Sequence, residues 1–238
     1  MDTEIMKIKI LPLTLLALGT WSLLFSFAAA DWDTGACPGT GSAPCIETVI
    51  NGNTYYFNGT GLHADVWHGR PAAEGGGDFV FEGDDVDLEC ALNLSCSVAL
   101  SGQIKKCQDS SGEWRIGVQV NSATLSDGTF CGSINVSGFP WYSKDPTITG
   151  HCPFEDDCDS FIPYDPDATS YAGNFGPVSV AALGAALVDG EHIHDVVFTP
   201  GVGANISFAS DLYDCNESQD CSMNGVLTIT NATSFDIH

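Results

Sequence analysis

The sequence predicts an all-β domain, an antiparallel β-sandwich or a barrel, stapled by disulfides and carrying long irregular loops. Three observations predict it. Apolar residues alternate with small polar ones over short runs, a period of two that gives a strand one apolar face and one wetted face. Turn-forming clusters separate the runs at roughly 8–12-residue spacing. No stretch carries the 3.6-residue period and the caps of an ordinary helix.

The clearest alternation fills Cys90 to Trp141. Leu94, Cys96, Val98 and Leu100 alternate with Ser95, Ser97, Ala99 and Ser101. Ile116, Val118 and Val120 alternate with Arg115, Gly117 and Gln119, and Phe130, Ile134 and Val136 begin a third run. Asp109–Gly112 and Ser126–Gly128 supply turns between them, so an antiparallel meander with one buried face is expected. Upstream, Asn51-Gly52 between Val49-Ile50 and Tyr55–Phe57 signals a tight hairpin. Gly61–Trp67 and Asp78–Phe81 read as short strands. Downstream, Tyr142–Gly176 reads as irregular, with Pro146, Pro153, Pro163 and Pro166 in it. Val178–Ala182, Ile193–Thr199, Ala204–Ala209 and a run through Met223, Leu227 and Ile229 read as strands, with a turn at Asp189-Gly190.

Residues 1–30 read as a signal peptide: Lys7 and Lys9 form a basic region, Ile10–Phe27 an apolar one, and Ala28–Ala30 a small-residue cleavage site. Residues 31–82 are then an N-terminal extension or the first strands. Residues 83–238 form the main β domain, with an irregular insertion at 142–176. No later stretch is long enough to span a bilayer, so a secreted, extracellular protein is expected.

All 10 cysteines follow the expected cleavage site. Behind a signal peptide they read as disulfides. Spacing leaves connectivity open. Short rings favour Cys37–Cys45, Cys152–Cys158 and Cys215–Cys221, each worth about 2 kcal/mol by chain entropy. Cys90–Cys107 and Cys96–Cys131 are the preferred pairs of the meander. Cys131 falls on the polar phase of its run, so a bulge or a strand end must precede it. Zinc–thiolate binding is disfavoured by the wide spacings and the oxidising compartment.

The charge is one-sided, with 31 acidic residues against 7 basic and a net charge of −24. Such a surface repels nucleic acid and anionic membranes. No nucleophile elbow, His-Glu-x-x-His, phosphate loop or dinucleotide fingerprint is present, and with the cysteines bridged no thiol nucleophile remains. The chain therefore reads as non-enzymatic.

From about Leu88 to Ile229 the chain resembles the alkane-oxidation protein activators, a family of small secreted bacterial proteins. The resemblance rests on Cys96–Gly102, Val120–Ser126, Cys131 followed by Val136–Trp141, and Cys221–Thr228. It implies an extracellular, non-enzymatic role in contact with or uptake of hydrophobic substrate. The family's cysteine after the strand matched by Val178–Leu187 is missing here, and Cys215 is the expected replacement partner for Cys221. An apolar surface patch containing Trp67, Phe139, Trp141 and Phe161 would serve that role, although each of these aromatics singly is a natural core residue.

Two further groups carry binding chemistry. His192 and His194 lie on one face of a strand, a common metal pair, against the plainer reading of an exposed polar face; His63 and His68 would join only if the fold brings them near. Calcium is the one cofactor the acidic clusters suggest: Glu82, Asp84, Asp85 and Asp87, and Glu155, Asp156, Asp157, Asp159, Asp165 and Asp167, although a solvated acidic surface explains them as well. Asn58, Asn93, Asn135, Asn205, Asn216 and Asn231 each begin Asn-x-Ser/Thr, a glycan acceptor in some hosts. A surface adhesin or self-associating filament subunit, contacting cell-surface components, is the alternative role, and a calcium- or carbohydrate-binding module is a third.

Overall fold

The computed structural model describes residues 32–238 except 40–42, 59–62, 64, 91–92 and 149–151. The expected signal peptide lies outside the described residues, as do parts of the expected Gly61–Trp67 strand. The described chain is strands joined by turns, with no α-helix. In order these are β1 (Asp33–Thr34), β2 (Ile46–Ile50), β3 (Asn53–Phe57), β4 (Phe79–Glu89), β5 (Asn93–Gln108), β6 (Trp114–Ser126), β7 (Ile134–Ser137), β8 (Trp141–Lys144), β9 (Ile162–Pro163), β10 (Tyr171–Ala182), β11 (Ala185–Thr199), β12 (Gly201–Val202), β13 (Asn205–Tyr213), β14 (Gln219–Ile229) and β15 (Ser234–Ile237).

Eight strands close into an antiparallel barrel in chain order: β4, β5, β6, β8, β10, β11, β13 and β14, with β14 returning to β4. The alternation read in Leu94–Leu100 does what a period of two should: Leu94, Cys96 and Val98 are buried in the barrel core with Val86, Val120, Phe175, Val178 and Leu227. The closing seam pairs Ser222 with Glu89 and Asn224 with Asp87. A Cβ at Gly83 would come within 2.1 Å of the Val226 carbonyl oxygen, so the seam needs glycine there.

A second sheet, ordered β1-β3-β2-β15-β12, packs on one end of the barrel. The Asn51-Gly52 hairpin forms as expected, both residues at positive φ (52° and 81°). Trp32, Ile46, Phe57 and Phe235 of this sheet share a core with Phe79, Ile104 and Ile116 of the barrel.

Several expectations are corrected. The third run of the meander does not follow β6: β8 does, and β7 lies outside the ring, paired with β10 through Ile134 and Ala182. A 3₁₀ turn at Cys131–Ser133, with Phe130 at φ 71°, breaks the alternation before β7, and this is the strand end that Cys131 required. Asp189-Gly190 is a bulge inside β11, since Val178 faces Glu191 while Val180 faces Val188; the chain turns at Leu183-Gly184. The stretch 142–176 holds β8, β9 and the start of β10.

Cys37–Cys45 and Cys96–Cys131 form as expected. The expected pairs Cys90–Cys107, Cys152–Cys158 and Cys215–Cys221 do not. Instead Cys90 bonds Cys221 across the barrel seam, Cys107 bonds Cys158, and Cys152 bonds Cys215. The reason is geometric. Short rings are easy to close, but antiparallel pairing puts residues far apart in sequence side by side, and a disulfide needs Cα atoms about 4.4–6.8 Å apart.

Candidate functional site

Two features stand out: the interior of the barrel, and a histidine pair on its outer wall. The interior holds two adjoining cavities, or lobes, that share part of their lining. The first, about 70 Å³, is lined by apolar side chains, Leu88, Val98, Leu125, Trp141, Val180 and Phe208 among them. The second, about 60 Å³, is bounded by Phe79, Ile104, Ile116, Ile162, Tyr171 and Phe235, with Ser101, Gln103 and Gln119 the polar side chains besides the tyrosine. Leu100, Val120, Phe175, Val196 and Ile206 line both. Along β5 the lining passes from Cys96 and Val98 to Ile104, and along β6 from Leu125 back to Ile116, so the lobes lie one beyond the other along the strands. Each is several times the roughly 10–15 Å³ that one water needs, and apolar cavities of this kind stay dry and admit apolar guests. Burial pushes the Tyr171 hydroxyl well above its ordinary pKa, and that hydroxyl donates to the Asp165 carbonyl at 3.0 Å. The lining is therefore uncharged at neutral pH.

The four aromatics expected on a surface patch divide. Trp141 and Phe161 are buried, 4% and 0% exposed, which corrects their placement on the surface. Trp141 faces the cavity, donates its indole N–H to the Ser137 carbonyl at 3.1 Å and stacks on Phe139 at 4.6 Å. Trp67 and Phe161 instead flank the buried Lys105 ammonium, at 5.0 and 5.3 Å from their ring centres. Asp65 and Asp156 pair with that ammonium, and Asp156 also accepts the Trp67 indole N–H. This is a structural cluster on the barrel wall. The large apolar residues that do face solvent are others: Val66, Val226, Val202 of the capping sheet (86% exposed), and the pair Phe130 (56%) and Leu183 (69%). Both sit at positive φ, 71° and 53°, and the Leu183 N–H donates to Ser133 beside Phe130 at 3.4 Å. They lie at the β6–β7 and β10–β11 turns, away from the capping sheet. Nothing in the alternation distinguished them; turn position beside a bulky apolar residue was the available signal.

His192 and His194 do share a face, but it is not an exposed one: His192 is fully buried. Ile193 between them packs into the barrel core, so the two rings lie on the outer wall. Their Nε2 atoms are 2.7 Å apart. Phe154 covers His192 at 5.3 Å, and Tyr213 packs on His194 at 4.2 Å. Glu217, which sequence reasoning missed, brings its carboxylate within 4.0 Å of His194 Nε2. His68 is elsewhere, stacked on Phe57 at 3.8 Å with His63 beside it.

Several of the acids suggested for calcium are engaged in hydrogen bonds within the protein. Asp84 accepts from the Ser97 hydroxyl, Asp157 from the Asp159 N–H, Asp159 from the Ser110 N–H and Asp165 from the Asp167 N–H. Among the described residues three groups gather potential metal-ligand atoms within 4.8 Å, and neither acidic cluster is one of them. Two of the three include disulfide-bonded cysteines, whose sulfurs are no longer thiolates. The third is His192, His194 and Glu217.

A scan against protein-family models and searches of curated proteins and of solved structures gave no match. Among the described residues no helix is long and apolar enough to cross a membrane.

Proposed function

We propose that this protein is a secreted, non-enzymatic β-barrel whose interior takes up the end of an alkyl chain and so brings hydrophobic substrate to cells. The role is the one implied by the resemblance to alkane-oxidation activators; the mechanism replaces an aromatic surface patch with a lumen. The observation that carries it is the pair of adjoining apolar cavities arranged along the strands, together about large enough for one small hydrocarbon. An eight-stranded barrel is just wide enough to hold its own side chains or one small ligand, and an elongated, uncharged space suits a polymethylene chain better than a sugar or a nucleotide. Phe130 and Leu183, exposed at the end away from the capping sheet, would make first contact with an oil surface. Barrel closure removes most free strand edges, so edge-to-edge assembly into a filament has less support.

The test is co-purification. Protein from culture medium, equilibrated with pentane droplets and separated from them, should carry about one pentane per chain by gas chromatography, the size of guest that cavities of about 70 and 60 Å³ admit. Val120→Phe, which fills the space shared by both lobes, should abolish this, and the smaller Ala123→Leu should reduce it. A folded wild-type protein that leaves the droplets empty refutes the proposal.

A further inference from the structure

We infer that His192, His194 and Glu217 form a binding site for one divalent transition-metal ion, zinc(II) or copper(II), on the outer wall of the barrel. The ligands are two imidazole Nε2 atoms and one carboxylate, mutually within 4.8 Å. Nitrogen donors of this kind select zinc and copper, whereas calcium and magnesium take oxygen ligands almost throughout. The distances fit. Nitrogens about 2.0–2.1 Å from an ion are roughly 2.8 to 3.4 Å apart as the angle between them opens from square to tetrahedral. The 2.7 Å separation of the two Nε2 atoms is within about 0.1 Å of the square limit. Glu217 has to close its 4.0 Å gap to His194 by less than about 1 Å, and its side chain is about half exposed.

The fold holds this geometry in advance. The two-residue spacing aims both rings to one side of β11. Phe154 and Tyr213 pack on those rings. Glu217 comes from the β13–β14 turn, whose shape is fixed by Asp214 accepting the Asn216 and Ser218 N–H groups at 2.8 Å each. Glu217 itself takes φ 64°, a left-handed conformation that costs a side-chain-bearing residue about 1 kcal/mol or more. The Cys152–Cys215 disulfide ties that turn to the segment bearing Phe154. Beside the site opens a depression of about 450 Å³ bordered by Asp87, Glu89, His194, Asp195 and Asp211, whose carboxylates concentrate cations at its mouth. Three protein ligands leave a coordination position for water or an outside group.

The experiment uses the secreted protein, stripped with a chelator and titrated with zinc chloride or copper sulfate by calorimetry at neutral pH. One ion per chain is expected. His194→Ala and Glu217→Gln, at partly exposed positions that spare the barrel core, should each weaken binding at least about tenfold. His63→Ala should leave it unchanged, and a hundredfold excess of calcium should not displace the ion. In the copper form, electron paramagnetic resonance should show hyperfine coupling to two nitrogens, falling to one in His194→Ala. Absence of binding to the folded wild-type protein, or binding that survives His194→Ala with its nitrogen coupling intact, overturns the assignment.

Discussion

Lys106 carries its ammonium into a fully buried position. Its Nζ donates to the Pro44 carbonyl at 2.7 Å and lies over Trp114 and Phe57, 5.3 and 6.0 Å from their ring centres. Burial pushes its pKa down from the ordinary 10.5 to about 8. In the unfolded chain the lysine holds its proton to higher pH, so between about pH 8 and 10.5 unfolding takes up a proton and stability rises with pH. Below that window the folded protein keeps a charged amine at a site that disfavours it. Urea unfolding should therefore show stability climbing by about 1 kcal/mol or more from pH 8 to pH 10, and Lys106→Met should flatten that slope. A wild-type slope matching that of Lys106→Met would refute the assignment.

The turns that carry Phe130 and Leu183 are elements where local strain and exposed apolar surface coincide. Each residue holds a left-handed conformation costing about 1–3 kcal/mol, and each sends an apolar side chain into water. Replacing both by glycine should stabilise the protein by relieving that strain, while partition onto hexadecane droplets, measured by depletion from solution, falls severalfold. Unchanged partition would remove these turns from the proposed contact surface. Such turns also mark where the sequence became hard to read. Period-two alternation identified β5 and β6, and Asn51-Gly52 identified the β2–β3 hairpin, because both signals are local. Partner choice is not local: Ile134 and Val136 look like a continuation of the meander, yet the 3₁₀ turn at Cys131–Ser133 sends them to β10. Asp189-Gly190 carries a turn signal that the chain uses for a bulge. The candidate metal site was half legible for the same reason. His192 and His194 are two residues apart, whereas Glu217 arrives from a different turn through the β11–β13 pairing.

At the scale of the whole molecule, the barrel is a ring with one seam, where β14 meets β4. Cys90–Cys221 fastens it across 131 residues, against 8 for Cys37–Cys45. Chain entropy gives about 5 kcal/mol for the long ring against the roughly 2 kcal/mol of the short one, upper figures where other bridges already shorten the loop. The double variant Cys90→Ser/Cys221→Ser should accordingly lower the denaturant midpoint more than Cys37→Ser/Cys45→Ser does; the reverse order would show that the seam is held by packing rather than by its staple. The capping sheet joins parts of the chain still further apart: the Thr48 hydroxyl donates to the Ser234 carbonyl 186 residues away, and the Cys45 and His238 backbones exchange hydrogen bonds at 2.8 Å. Synthesis delivers β2 and β3 early and β15 late. Throughout that interval Ile46, Ile50 and Phe57, all buried in the finished fold, have no lid above them. Until the closing strand arrives, the newborn chain thus exposes a sticky apolar face, the condition under which partly folded copies aggregate.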